Sequence, residues 1–316
     1  MSDSIQSLGK KIGGAGDLQS VVRSMKALAA SSILQYERAV SALDDYEQTV
    51  AIGLALCLRR SMQAQAMIQP SRSGEPAIGA IVFGSDQGLV GRFNEVLLDF
   101  VIHQIKAVGG TPGPIWVVGE RMRALIVDRG LKPPQLSPVP TSAQGIAPLV
   151  GELLVEMESA QAQGGFSELH VFHNRPQNSG TYAPAARVLL PLDPAWHRQH
   201  AERAWPGKAW PEVIDGDPAA LQAFIREYLF VVLFQACAES LASENASRLA
   251  AMQRADKNIE DILETLNQRF HRQRQAAIDE ELFDVIAGYE ALSKPGSDVD
   301  AQALAPPPGG GGMMET

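Results

Sequence analysis

The sequence predicts an α/β chain in which a long helix at each end flanks a central parallel-sheet domain. Three observations carry this reading. From Asp17 to Gln69 there is no proline and a single glycine, Gly53. A second proline-free stretch begins after Pro218 and continues to about Leu292, ahead of Pro295. Between them, short β-rich runs alternate with helical ones, the pattern of βαβ units.

The first long helix is expected to start at Asp17, a good N-cap after Gly13-Gly14-Ala15-Gly16, which makes a poor helix interior. Its apolar seam reads Leu18, Val22, Met25, Leu28, Ser32, Tyr36, Val40, Leu43, Tyr46 and Val50. Steps of three and four average near the coiled-coil period. Pro70 ends the helix, giving a rod of roughly 80 Å at 1.5 Å per residue.

The second helix takes Asp217 as candidate N-cap, with the seam Leu241, Leu249, Met252, Ala255, Ile259, Ile262, Leu266 and Phe270. At roughly 110 Å it exceeds what a globular domain needs, and helices beyond ~25 residues suggest a coiled coil. The two helices are expected to return alongside each other as an antiparallel pair.

In the central block, Ile78–Phe83, Ile115–Val118 and Leu169–His173 read as strands. The stretches Asn94–Val108, Glu120–Asp128 and Ala147–Gln163 between and around them read as helices. The expected organisation is a helix over 1–70, an α/β domain over 76–217, a helix over 218–292 and a tail over 293–316. Residues 193–217 form a Trp-containing insertion with Trp196, Trp205 and Trp210. The tail, with Pro306-Pro307-Pro308 and Gly309–Gly312, reads as disordered.

Composition narrows the function classes. Lys+Arg 27 against Asp+Glu 36 leave a net charge of −9, which argues against a general nucleic-acid binder. Cys57 and Cys237 cannot form a disulfide framework and read as buried thiols. The start of the chain has no apolar core of a signal peptide. The longest apolar runs, Val50–Leu58 and Tyr228–Ala238, fall short of the ~18 residues that span a membrane. A soluble chain is expected, with any membrane association arising through a partner.

Catalytic motifs are not evident. Gly84-Ser85-Asp86-Gln87-Gly88-Leu89-Val90-Gly91 does not fit G-x-G-x-x-G, and no phosphate-binding G-x-x-x-x-G-K-[ST] occurs. His170, His173, His197 and His200 join no metal-ligand cluster, and Glu280 and Glu281 read as solvated. No catalytic residue, cofactor or metal is expected. One charge feature is more informative. Arg269, Arg272 and Arg274 have no acid among them and fall near 0°, 300° and about 140° around the helix. Basic groups on all sides suit a rod enclosed by partners.

These residues carry a family resemblance. Ala242–Asn258, A-S-E-N-A-S-R-L-A-A-M-Q-R-A-D-K-N, and Arg274–Gly288, R-Q-A-A-I-D-E-E-L-F-D-V-I-A-G, are similar to the C-terminal signature of the gamma subunits of F-type ATP synthases. Ser85–Asn94, S-D-Q-G-L-V-G-R-F-N, resembles that family's S-D-x-G-L-x-G-x-L-N turn. Arg23–Ala30, R-S-M-K-A-L-A-A, resembles its K-A-M-K-x-V-A-A. The resemblance covers about residues 5–292.

The resemblance implies a rotor, not a catalyst: a central shaft coupling ion flow through the membrane c-ring to ATP synthesis or hydrolysis on the beta subunits. Its implied partners are the alpha and beta subunits, the epsilon subunit and the c-ring, with no nucleic acid and no small-molecule substrate of its own. It implies a peripheral position on the cytoplasmic face of the bacterial plasma membrane. Arg274 and Gln275 would meet the beta catch loop, with Arg269 and Arg272 beside them. Met25, Lys26 and the turn residues Asp86, Gln87 and Arg92 would face the beta lever.

Departures from the family are the acidic balance, the glycines at 13, 14 and 16, His271 in place of Asn, Asp279 in place of Thr, and the long tail. They point to a divergent lineage, with the N-type ATPases as the expectation. Both cysteines lie outside the insertion that carries the chloroplast redox switch, so no such regulation is expected. Two other readings stand beside the rotor: a static coiled-coil scaffold, and a nucleotide-binding α/β enzyme.

Overall fold

Tertiary burial overrides local propensity at the start of the first helix, as the computed structural model of the protein shows. It describes residues 4–60, 77–109, 111–132, 134–177, 181–192 and 217–293. In order they form α1 (Ile5–Ser41), α2 (Asp44–Arg60), β1 (Ala77–Phe83), α3 (Phe93–Val108), β2 (Thr111–Val118) and α4 (Glu120–Asp128). There follow β3 (Gln135–Ser137), α5 (Ile146–Ala162), β4 (Glu168–Pro176), β5 (Tyr182–Leu190) and α6 (Asp217–Ser293). The chain divides into two units, Gln19–Asn258 and the described residues of 1–18 and 259–316.

In the larger unit the sheet order is β3-β2-β1-β4-β5. The β1–β2, β1–β4 and β2–β3 pairs are parallel, and β5 runs antiparallel to β4. Successive residues of β1 alternate between two cores, as a strand's period of two requires. Ile81 and Phe83 pack with α2, α5 and α6, while Ala80 and Val82 pack with α3 and α4. The sheet is thus covered on both faces, which a parallel sheet needs.

The three expected strands and three expected helices of the central block are all present. Two strands escaped the sequence reading. β3 has only three residues, and β5 carries Pro184 and Arg187 among small residues. Both occupy sheet edges, where a strand need not be apolar on two faces and proline is tolerated.

The first helix differs from expectation in two ways. It begins at Ile5, not Asp17, and runs through Gly9, Gly13, Gly14 and Gly16. The Ser4 hydroxyl caps it by accepting the Ser7 N–H at 3.2 Å, and Leu8 is fully buried. Tertiary burial of that kind outweighs the glycines' low propensity. It also ends early, at Ser41, where the Leu43 N–H turns back to the Val40 carbonyl. A separate helix then starts with Asp44, Asp45 and Glu47 in its first turn, acids that suit a helix N-terminus. The stop expected at Pro70 lies outside the described residues.

Within the larger unit α1 and α6 run antiparallel. Lys26 pairs with Asp256, whereas Tyr36 lies near Glu244 and Cys237. The expected seam needs correction. Leu18 and Leu28 of α1 are 61% and 69% exposed, and Ile262 of α6 is 53% exposed. Tyr36 of the expected seam is buried, and Ala29, which lies outside it, is buried where the neighbouring Leu28 is not. Cys57 and Cys237 are buried thiols outside any disulfide, and burial pushes the Cys237 thiol far up.

The apolar stretch of α6 also needs correction. It contains an 18-residue window of mean hydropathy 1.4, long and apolar enough by composition to span a membrane. Tolerating one or two charges lengthens it beyond the uninterrupted run. Val231, Val232, Leu233, Ala236 and Ala238 in this helix are buried in the core of the fold. The Trp-containing insertion lies outside the described residues, as does the tail beyond Ser293.

Candidate functional site

The Ser85–Asn94 turn follows β1 at the C-terminal edge of the sheet, the edge where open α/β sheets place functional loops. Its backbone is held from inside. The Ser85 N–H donates to Asn94 Oδ1 at 3.0 Å, and Asn94 Nδ2 donates to Ser85 Oγ at 2.8 Å. The Ser85 hydroxyl donates to the Gln87 carbonyl at 2.9 Å. Asp86 reaches sideways: its carboxylate accepts the Glu120 N–H at 2.9 Å and the Val139 N–H at 3.1 Å. It therefore ties together the segments that follow β1, β2 and β3.

Past this brace the turn presents side chains to solvent. Leu89 adopts φ 63 and is 61% exposed. A left-handed non-glycine residue costs roughly 1–2 kcal/mol, and such strain concentrates at functional sites. Gln87 and Arg92 are exposed as well, Arg92 just before α3 with no side-chain capping bond.

Asp86 and Gln87 form one wall of a cleft of about 320 Å³, opposite Met25 and Tyr36 of α1. Glu244 and Arg248 of α6 close its floor with an ion pair one helical turn apart. Burial pushes the Glu244 carboxyl up; Arg248 opposes that shift, and Asp86 adds to it. Burial likewise raises Tyr36, with the Glu244 charge second. Lys26 does not join the cleft. Its ammonium donates to Asp256 at 3.0 Å, and Arg23 meets the same carboxylate at 3.3 Å.

The smaller unit holds the remaining candidate residues. Arg269, Arg272, Arg274 and Gln275 are exposed on α6, and Gln275 Nε2 donates to Asp279 Oδ1 at 3.4 Å. Beyond them Leu282, Phe283, Val285, Tyr289 and Leu292 are 57–89% exposed. A run of large apolar residues this exposed marks an interaction surface.

The structure thus brings Met25, Asp86 and Gln87 into one cleft, with Arg92 outside its lining and Lys26 engaged within the chain. Sequence reasoning missed Glu244 and Arg248, although an acid and a base at i, i+4 inside an apolar helix is a readable signal. It also missed Glu239, which takes bonds from His173 at 2.7 Å and Arg175 at 2.9 Å. His173 and Arg175 lie on β4 and Glu239 on the distant α6, so no spacing reveals the cluster. Among the described residues no group of three His, Cys, Asp or Glu is placed to hold a metal.

The sequence model of the ATP synthase family matches residues 4–292. The chain belongs to the ATP synthase family. Within that family its relatives include the ATP synthase gamma chain of Nitrosomonas eutropha, 26% identical over 287 residues, covering 89% of this chain and 97% of the relative. The ATP synthase gamma chain of Xanthomonas oryzae pv. oryzae PXO99A is 26% identical over 286 residues, with the same two shares. Among solved structures, the mitochondrial ATP synthase of Euglena gracilis contains a chain that is similar in fold. In the OSCP/F1/c-ring assembly, rotational state 3, it gives a TM-score of 0.60 at 14% identity, over 95% of this chain and 98% of that one. In the rotor, rotational state 1, the TM-score is 0.58 at 15% identity, over 87% and 98%. Two long helices around a doubly covered sheet are the shared architecture.

Proposed function

We propose that the chain is the gamma subunit of a rotary ATP synthase: a central stalk that couples ion flow to nucleotide chemistry carried out on other subunits. The observation that carries this is the family match across residues 4–292, nearly the whole described chain. Gamma chains are rotor subunits rather than catalysts. On this reading the smaller unit runs inside a ring of alpha and beta subunits. Its exposed arginines and apolar side chains supply contacts that burial would reward.

The finer assignments follow from the same reading. Arg269, Arg272, Arg274 and Gln275 touch the beta subunits near the enclosed end of α6. Met25, Gln87 and Arg92, with Lys26 and Asp86 behind them, form the surface that meets the beta lever. The α/β domain stands with epsilon on the c-ring, at the cytoplasmic face of a bacterial plasma membrane. A shaft of this kind changes a beta subunit only by contacting its conformations with different free energies, so asymmetry is the working property.

Reconstitution tests the proposal. Purified chain should hydrolyse no ATP alone, assemble with alpha and beta, and support steady hydrolysis with rotation of the chain. Assembly without rotation would favour the static scaffold, and hydrolysis by the chain alone would favour the enzyme reading.

A further inference from the structure

Three serines of α6 stand on one face of the helix. At 100° per residue Ser240, Ser243 and Ser247 fall within an arc of about 60°. Each is buried, at 3%, 0% and 9% exposed. Their hydroxyls donate to three carbonyls at the C-terminal edge of the sheet domain: Ser240 to Phe83 at 2.9 Å, Ser243 to Asn174 at 3.0 Å, and Ser247 to Val90 at 2.6 Å. Phe83 ends β1, Val90 lies in the turn after it, and Asn174 belongs to β4.

A hydroxyl inside a helix ordinarily bonds back to the carbonyl four residues earlier. Ser24, Thr49 and Thr265 do so here, to Ser20, Asp45 and Asp261. The three buried serines donate across to another layer instead. Apolar packing between α6 and the sheet is non-directional and would allow the layers to slide or turn. Three short, directional bonds to three separate segments do not. A serine tie is also stiff, because the side chain has little rotamer freedom to lose.

We propose that Ser240, Ser243 and Ser247 are positioning residues that lock the α/β domain rotationally to the long helix, forming the joint through which torque passes between them. The proposal rests on the rotor reading. Glu239, one residue before this row, adds a charged tie to His173 and Arg175 of β4 on the same helix.

The test uses the alpha–beta–gamma complex with a bead fixed to the α/β domain. Ser240→Ala/Ser243→Ala/Ser247→Ala should leave unloaded ATP hydrolysis within twofold of the parent. The angular variance of the bead during pauses should rise at least twofold. Ser247→Thr, which keeps a hydroxyl, should leave the variance at the parental value. If the triple variant does not assemble, Ser247→Ala alone should still widen the variance measurably. Unchanged variance in the alanine variants overturns the joint, as does a loss of hydrolysis that merely follows a drop in melting temperature. A parental complex that hydrolyses ATP without turning the bead would sink the rotor reading instead.

Discussion

Lys26 and Asp256 are 230 residues apart in sequence and 3.0 Å apart in space. The pair straps α1 to α6, and Arg23 reinforces it from one turn earlier. Lys26, expected as a partner contact, thus also makes an ion pair inside the chain.

The strap has a pH signature. The hydrogen bond from Lys26, joined by its charge and by the bond and charge of Arg23, holds the Asp256 carboxyl below its ordinary 3.8, outweighing the opposing effect of burial. With the folded value depressed, the stabilisation is present above 3.8 and is lost as pH falls through the folded value. Carboxyl NMR titration should place the Asp256 midpoint below 3.8, and Lys26→Ala should move it back up.

Asp86 and Gln87 are neighbours with different jobs. Asp86→Ala removes the acceptor of two backbone N–H groups and should cost about 2 kcal/mol, read from denaturant unfolding. Gln87→Ala should change stability by no more than about 0.5 kcal/mol yet slow hydrolysis by the reconstituted complex. The reverse pattern would mean that Asp86, not Gln87, is the contact.

Glu239 should shape acid unfolding. Burial alone raises its carboxyl, but bonds from His173 and Arg175 outweigh that and leave it lowered from 4.5. Its contribution is thus complete above 4.5 and disappears as pH falls through the folded value. Glu239→Gln should cost about 2 kcal/mol at neutral pH and flatten the fall in stability below pH ~4.5. An unchanged acid limb would assign that limb to other carboxylates.

Two glycine substitutions should act in opposite directions. Gly119 has φ +111, and an added Cβ would sit 2.6 Å from the Ser85 carbonyl oxygen. Gly119→Ala should cost about 3 kcal/mol, because neither the backbone nor its neighbour can yield. Gly13 has open space where its Cβ would go, so Gly13→Ala should stabilise by up to ~1 kcal/mol. Thermal melting of the two variants checks both signs.

Arg274→Ala and Gln275→Ala remove exposed side chains and should leave melting of the free chain unchanged. A charge-assisted contact to a partner contributes about 1.5–3 kcal/mol, so turnover of the assembled complex should fall several-fold for Arg274→Ala. Parental turnover in both variants would remove these residues from the contact surface.

Sequence alone determined the elements whose signal is local. Hydrophobic period marked β1, β2 and β4, α3 to α5 and the length of α6, because each buries a regular stripe of its own residues. Motif text alone identified the Ser85–Asn94 turn and the basic stretch at Arg269–Arg274. What tertiary structure decided was every feature that depends on a second segment. The start of α1 at Ile5 rather than Asp17 depends on burial of Leu8, and the outward turn of Leu28 depends on which layers α1 must face. The edge strands β3 and β5 exist because a neighbour supplies their hydrogen bonds, not because their residues favour extension. The same holds for Asp86 as a brace, Lys26 as a strap and the serine row as a joint. Each role is set by a backbone or carboxylate at least 34 residues away, and no periodicity in one chain segment encodes that distance.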